Sequence, residues 1–232
     1  GTYSVEGNCY NREHMIPQSV FNSATPMYSD AHFITPTDGK VNGMRNNYPH
    51  GKVATASWTS LNGSKLGTSA VAGYTGIVFE PIDEFKGDIA RMYFYFATRY
   101  ENTVASYSYE MFNGTSNQIF TTAFRDLLIQ WHNQDPVSAR EIARNNAVYA
   151  RQNNRNPYID HPEYVCQIWS TQCAALSNPT LEFASISVYP NPSNDHKINI
   201  DSQVAVDDIQ LININGQLMM EVKKPVFNNN SY

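Results

Sequence analysis

Glu13 and His14 stand side by side in NREHMIPQSVF, and Asn42 and Arg45 stand three apart in VNGMRNN. Residues three apart on a helix share a face, so a helical VNGMRNN presents a carboxamide and a guanidinium together. A carboxylate and a carboxamide oxygen are hard ligands that suit Mg²⁺, which keeps several waters and takes few protein ligands. A histidine left neutral and off the metal can take a proton from water near pH 7. An arginine can hold phosphate through a two-pronged contact. Metal, base and guanidinium together are what phosphodiester hydrolysis needs. The residues alone leave other readings open. A Glu-His pair can be structural, Asn42 can be a turn or cap residue, and Arg45 can be a surface arginine. His14, His32 and His50 could form a zinc site, although their spacings of 18 and 18 match no common zinc pattern and no cysteine pair accompanies them. Adjacent side chains on a strand point to opposite faces. Glu13 and His14 are therefore expected not to be both core or both surface.

The elements that must position these groups differ along the chain. Residues 22 to 80 are rich in Gly, Ser, Thr, Asn and Pro and read as loops with a few short elements. A short helix is expected near Lys40 to Asn47 and a strand around Ile77 to Phe79. Helical patterning then takes over. Ile89, Met92, Tyr93 and Phe96 fall at helical spacing, as do Phe124, Leu127, Leu128 and Trp131. In DPVSAREIARNN, Asp135 is expected as an N-cap with Pro136 in the first helical position. NPYIDHPEYVCQIW leads into a last short helix. Phe124, Trp131 and Trp169 are expected to pack rather than to stack on bases. Near residue 180 the style changes to period-2 alternation in IQLININ followed by Asn-Gly, a hairpin signal. This reads as a small β-sandwich-like module.

Bulk properties set the frame. The chain has 232 residues, 41% hydrophobic and 12% aromatic, enough for one sizeable domain and a small one. No run of eighteen apolar residues exists to span a membrane. There is no initiating Met, as in a chain whose leader has been removed or in a fragment. The formal charge is −5, with 13 Lys+Arg against 15 Asp+Glu through residue 178 and 3 against 6 after it. A nucleic-acid partner would therefore need a local basic face. Three cysteines, Cys9, Cys166 and Cys173, permit one disulfide. On one continuous helix Cys166 and Cys173 would stand about 10 Å apart, too far to bridge. A bridge then needs Cys9, or a helix that ends between the other two.

NREHMIPQSVF followed by SDAHFITPTDGKVNGMRNNYPHGKV resembles the endonuclease I family of secreted, non-specific nucleases in the ββα-metal, or His-Me finger, superfamily. The likeness continues through GYTGIVFEPIDEFKGDIARMYFYFATRY and LLIQWHNQDPVSAREIARNNAVYARQNNRNPYIDHPEYVCQIW. It implies an α+β fold: a ββα-metal finger core embedded in a mainly helical domain. It also implies that Glu13 and Asn42 hold Mg²⁺, with Mn²⁺ or Ca²⁺ as substitutes, and that His14 is the general base. Arg45 would contact phosphate, and Asp30 and His32 would orient the metal site from behind. Arg12, Lys86, Arg91 and Arg155 would face DNA, or RNA. Lys86 and Arg91 equally fit a salt-bridged helix start. Phosphate contacts carry no sequence information, so low sequence specificity is expected. Only twelve residues precede Glu13, fewer than family members usually carry.

SISVYPNPSNDHKINI and the later IQLININGQLMM resemble the C-terminal sorting domain of proteins exported by the type IX secretion system of Bacteroidetes. The expected organisation is a nuclease domain over 1–176, a linker over 177–182 and a sorting domain over 183–232. The end, VFNNNSY, lacks the usual final strand and basic residue and reads as truncated. The resemblance implies a secreted or cell-surface monomer that meets the type IX machinery through its tail. The competing reading is a catalytically silent nucleic-acid or surface-binding module on the same fold.

Overall fold

A computed structural model of the chain describes residues 3–169, 173, 186–190, 193, 197–202, 208–213 and 217–225. It falls into two units, Gly1–Ser177 and Asn178–Tyr232. In the first, strand β1 (Tyr10–His14) pairs antiparallel with β2 (Ile34–Asp38), Glu13 opposite Thr35 and His14 opposite Ile34. Three 3-10 turns, Gln18–Phe21, Met27–Ser29 and Ala31–Phe33, fill the connection. Helix α1 (Gly39–Arg45) leaves β2 directly because the Asp38 carboxylate accepts from Lys40 N and Val41 N, satisfying two amides that a helix start leaves open. Strands β3 (Val53–Thr59), β4 (Lys65–Ser69) and β5 (Ile77–Glu80) form an antiparallel sheet in that order.

Helix α2 (Lys86–Arg99) is the axis of the unit. Every residue from Gly87 to Ala97 is buried, so the expected apolar stripe is in fact a helix covered all round. Phe96 meets Phe33 edge-on at 5.0 Å, and Phe94 lies 4.7 Å from Trp169. Each such buried side chain contributes roughly 1.5–3 kcal/mol. Around it lie α3 (Glu101–Val104), α4 (Thr122–Gln134), α5 (Ala139–Gln152), α6 (Pro157–Asp160) and α7 (Tyr164–Ile168). Phe124, Trp131 and Trp169 are buried in this core, as the sequence predicts.

Two expectations need correction. Helix α5 starts at Ala139 rather than Pro136, because Ser138 and Glu141 form a reciprocal capping box. Asp135 instead accepts from Gly87 N and offers its carbonyl to Arg91. Strands β3 and β4 lie where mostly loop is expected. The cysteines settle on the second alternative. Helix α7 ends at Ile168, and Cys166 and Cys173 form a disulfide with α-carbons 5.5 Å apart. Cys9 takes no part in it.

In the second unit, β6 (Ile186–Tyr189) pairs antiparallel with β7 (Asn199–Ser202), and β8 (Asp208–Ile212) with β9 (Leu218–Lys223). The pairs are separate sheets. In the second pair Ile209, Leu211, Met220 and Val222 share one face, and Asp208, Gln210, Glu221 and Lys223 the other. The expected linker over 177–182 and the Asn-Gly turn at 215–216 lie outside the described residues. Among the described residues no helix is long and apolar enough to cross a membrane.

Candidate active site

The β1–β2 register decides which side chains meet. Glu13 shares a face with Thr35, and Asn11 with Thr37; Tyr10, Arg12, His14, Ile34, Pro36 and Asp38 take the other face. Glu13 and His14 do point to opposite sides, yet both are buried, at 4% and 6% exposure. The expectation that they would differ in burial is overturned because both faces of this strand end are covered. Arg45 from α1 covers Glu13, and the 3-10 turns cover His14.

Arg45 is 3% exposed, and all of its N–H groups are used. Nε donates to the Tyr48 carbonyl oxygen (3.0 Å), Nη1 to the Glu13 carboxylate and the His14 carbonyl (2.9 Å), and Nη2 to the Met15 carbonyl (2.7 Å) and the Tyr109 hydroxyl (3.5 Å). No donor is left for phosphate. The expected phosphate contact by Arg45 is therefore corrected: this guanidinium positions Glu13.

Glu13 Oε1 accepts from Arg45, but Oε2 is buried without a hydrogen-bond partner. Burial raises the Glu13 carboxyl above its ordinary value, and the Arg45 charge beside it only partly opposes this. Asn42 donates its amide nitrogen to the Arg12 carbonyl oxygen at 3.4 Å, so its Oδ1 is not spent on that contact. Glu13 and Asn42 line one cavity of about 240 Å³, with Thr35, Thr37, His50 and Asp88. A buried carboxylate oxygen without a donor, on a residue that shares a cavity with a carboxamide, suits a hard divalent cation. The two residues fit the Mg²⁺ that the resemblance implies.

His14 does not line that cavity. Its ring sits among Phe21, Tyr28 and Phe33, with centroids 5.9–6.2 Å away. Nε2 lies 3.1 Å from the Tyr28 carbonyl oxygen, which can only accept, so Nε2 carries the proton. Nδ1 then bears the lone pair and accepts from the Gln18 amide at 3.1 Å. Burial lowers the imidazole pKa, against the raising effect of the Tyr28 carbonyl. The ring is therefore neutral near pH 7, with Nδ1 as its basic atom. Neither the Tyr28 carbonyl nor Gln18 is legible from spacing. Only the i to i+4 separation of His14 and Gln18 hints at contact.

Asp30 and His32 connect to the site through the backbone alone. Asp30 accepts from the Tyr95 and Tyr100 hydroxyls (2.7 Å each) and from Gln152 Nε2 (2.8 Å). His32 Nε2 donates to the Asn154 carbonyl oxygen at 2.9 Å. Together they fix the segment whose Tyr28 carbonyl receives His14. His50 pairs with the Tyr93 hydroxyl at 2.8 Å. The three histidines thus have separate partners, and among the described residues no group of three or more His, Cys, Asp or Glu converges.

The remaining basic residues divide. Arg91 is fully buried, its Nε and Nη2 on Glu141 at 2.6 and 2.8 Å and Nη1 on the Asp135 carbonyl at 2.9 Å. It cannot line a DNA groove, and that expectation is corrected. Lys86 holds Glu80 and Asp83 with its side chain 12% exposed, as a salt-bridged helix start does. Arg155 pairs with Asp160 at 2.7 Å. Arg12 is exposed on β1, with no ion pair among the described residues.

Comparison with known proteins gives the family. Residues 1–163 match the Endonuclease I family model, and residues 187–232 match a secretion system C-terminal sorting domain. The chain is 37% identical over 164 residues to an extracellular ribonuclease of Bacillus amyloliquefaciens, covering 69% of this chain and 54% of that protein. It is 35% identical over the same span to an extracellular ribonuclease of Bacillus subtilis (strain 168), with the same coverage. It is 28% identical over 131 residues to Endonuclease-1 of Buchnera aphidicola subsp. Baizongia pistaciae, covering 56% and 46%. The chain spans about half the length of these relatives. It belongs to the Endonuclease I family and carries a secretion system sorting domain at its C-terminal end.

Proposed function

We propose that this chain is a secreted, Mg²⁺-dependent, largely sequence-non-specific endonuclease. It hydrolyses DNA, and RNA as a second substrate, to products with 5′-phosphates. The observation that carries this reading is the buried Glu13 Oε2 without a donor, on a residue that shares a cavity with Asn42 and is next in sequence to a neutral His14 held by a backbone carbonyl. In this reading β1, β2 and α1 are a ββα-metal core. Glu13 and Asn42 would hold the cation, which when bound offsets the charge that builds on the phosphate and its leaving oxygen. His14 Nδ1 takes the proton of the attacking water once the Gln18 amide yields that position. The Tyr28 carbonyl keeps Nε2 protonated and steadies the imidazolium that forms. The ribonuclease name of two relatives supports RNA as a substrate, the endonuclease name of a third supports internal cleavage, and the sorting-domain match supports export to the outside or the cell surface by the type IX machinery.

The test is a plasmid digest with wild type and His14→Ala, in Mg²⁺ and in EDTA. Cleavage by wild type in Mg²⁺ alone, with kcat about 10²–10⁴-fold lower in the variant, is the expected result for loss of a general base. Equal cleavage by both proteins removes His14 from that role. No cleavage by folded wild type favours the silent binding module.

A further inference from the structure

The face of β1 that carries His14 does not stop at His14. Alternation along the strand puts Tyr10, Arg12 and His14 on one side, and the register adds Pro36 opposite Arg12 and Asp38 opposite Tyr10, its carboxylate engaged by the Gly7, Lys40 and Val41 amides. Away from the His14 end this face is open. Tyr10 is 75% exposed, and Arg12 and Pro36 are exposed as well. At the closed end the Tyr28 ring lies beside His14, at a centroid distance of 5.9 Å and an interplanar angle of 29°, and is itself 41% exposed. Single exposed tyrosines are ordinary. Here two of them flank an exposed arginine along the line that ends at the basic nitrogen.

We propose that this face is a track for an unpaired nucleic-acid strand, with Tyr10 and Tyr28 stacking nucleobases and Arg12 holding the phosphate between them, so that the strand is delivered to His14. The inference rests on the nuclease reading and names the form of substrate that suits it. Alternate residues of a strand stand about 6.8 Å apart, a spacing that an extended polynucleotide can follow with a base and then a phosphate. Stacking of bases on exposed aromatic rings, combined with a cationic groove, is how single strands are held without sequence readout. A duplex keeps its base faces stacked inside and offers this track only its phosphates. Charge complementarity comes from Arg12, whose cation is close enough to His14 to be felt there. The Tyr28 ring is free for this role because the group that orients His14 is the Tyr28 backbone carbonyl. Removing the ring leaves that contact in place.

The experiment measures binding and cleavage separately, on the full chain. Fluorescence anisotropy in EDTA compares a labelled oligothymidylate with a duplex of matched length, for wild type, Tyr10→Ala, Tyr28→Ala, Tyr10→Phe and Tyr28→Phe. Wild type is expected to bind the single strand more tightly than the duplex. Each alanine variant should weaken single-strand binding roughly tenfold and leave duplex binding unchanged, and each phenylalanine variant should retain wild-type affinity. Alanine variants that weaken neither substrate, or weaken both equally, overturn the track. Cleavage of the same two substrates is then scored in Mg²⁺. If wild type binds the strand with the expected ring dependence and cuts nothing, the nuclease reading fails and the track stands. If it cuts duplex and the ring deletions leave binding untouched, the track alone fails.

Discussion

Two buried Arg–Glu pairs sit in the first unit, and they are finished differently. In the pair between α2 and α5, Arg91 meets Glu141 with two parallel hydrogen bonds. Glu141 Oε2 also accepts from Ser138 N at 2.9 Å, and Arg91 Nη1 reaches the Asp135 carbonyl. Every oxygen has a donor. In the pair between α1 and β1, Arg45 is equally buried and equally saturated, but it touches only Oε1 of Glu13 and leaves Oε2 without a donor. An unmet buried acceptor costs about 1–3 kcal/mol; Glu13 Oε2 shares that state with His32 Nδ1, but unlike it belongs to a carboxylate that lines a cavity together with Asn42. The saturated pair joins helices. In the proposed function the unsaturated pair holds a carboxylate for a cation. Completeness of hydrogen bonding, rather than burial or charge, separates these two carboxylates.

The comparison can be broken or sharpened by substitution. The largest effect belongs to the saturated pair. Arg91→Ala leaves Glu141 charged and unpaired in the interior, so urea unfolding should show a loss of about 3–5 kcal/mol. A loss below about 1 kcal/mol would mean that the pair does not join the helices.

A smaller effect is expected from the histidine on the flank of that pair. His132 lies between the Pro162 carbonyl and Arg91, and burial, with the Arg91 charge, lowers its pKa to about 4. Between that value and the ordinary value near 6.5 the unfolded chain binds a proton that the folded chain does not. Stability therefore rises with pH through this window and is lost as pH falls from 6.5. Asp88, pushed up to about 7 by burial and by Glu141, works in the opposite direction but is the same in both proteins. Thermal melts from pH 7 down to 5 should cost wild type about 1–2 kcal/mol more than His132→Gln. Parallel curves would remove His132 from the account.

The smallest effect belongs to an exposed pair. Arg155 and Asp160 match the geometry of Arg91 and Glu141, with two bonds at 2.7 Å, but in solvent. Arg155→Ala should leave the melting midpoint unchanged, because exposed pairs are screened. A shift as large as that of Arg91→Ala would show that geometry, not burial, sets the strength.

How far the sequence foretells this follows from what each residue needs. Glu13, His14 and Asn42 stand out as candidates because the proposed metal and base chemistry restricts their types, and the motifs around them are long. The helices are legible from Ile89, Phe96, Phe124 and Trp131 at helical spacing. Arg45 is misread because its partners come from elsewhere: the Met15 carbonyl, Tyr109 and Glu13 surround it only once the chain has folded. Arg91 is misread for the same reason. Strand β3 escapes notice because residues Ala54 to Ser57 of VATASWT are all exposed, so no alternation marks them. Asp135 looks like a cap until Ser138 and Glu141, which can satisfy each other, take the helix start.

The central claim is that Glu13 Oε2 is left open for a cation. The direct measurement is the melting midpoint of wild type and Glu13→Gln in EDTA and across a Mg²⁺ titration. Gln keeps an oxygen for Arg45 and removes the charge offered to the metal. The account predicts that Mg²⁺ stabilises wild type, by about 2.7 kcal/mol at a hundredfold excess over its dissociation constant, and leaves Glu13→Gln where it was in EDTA. Equal stabilisation of both proteins, or of neither, would contradict it.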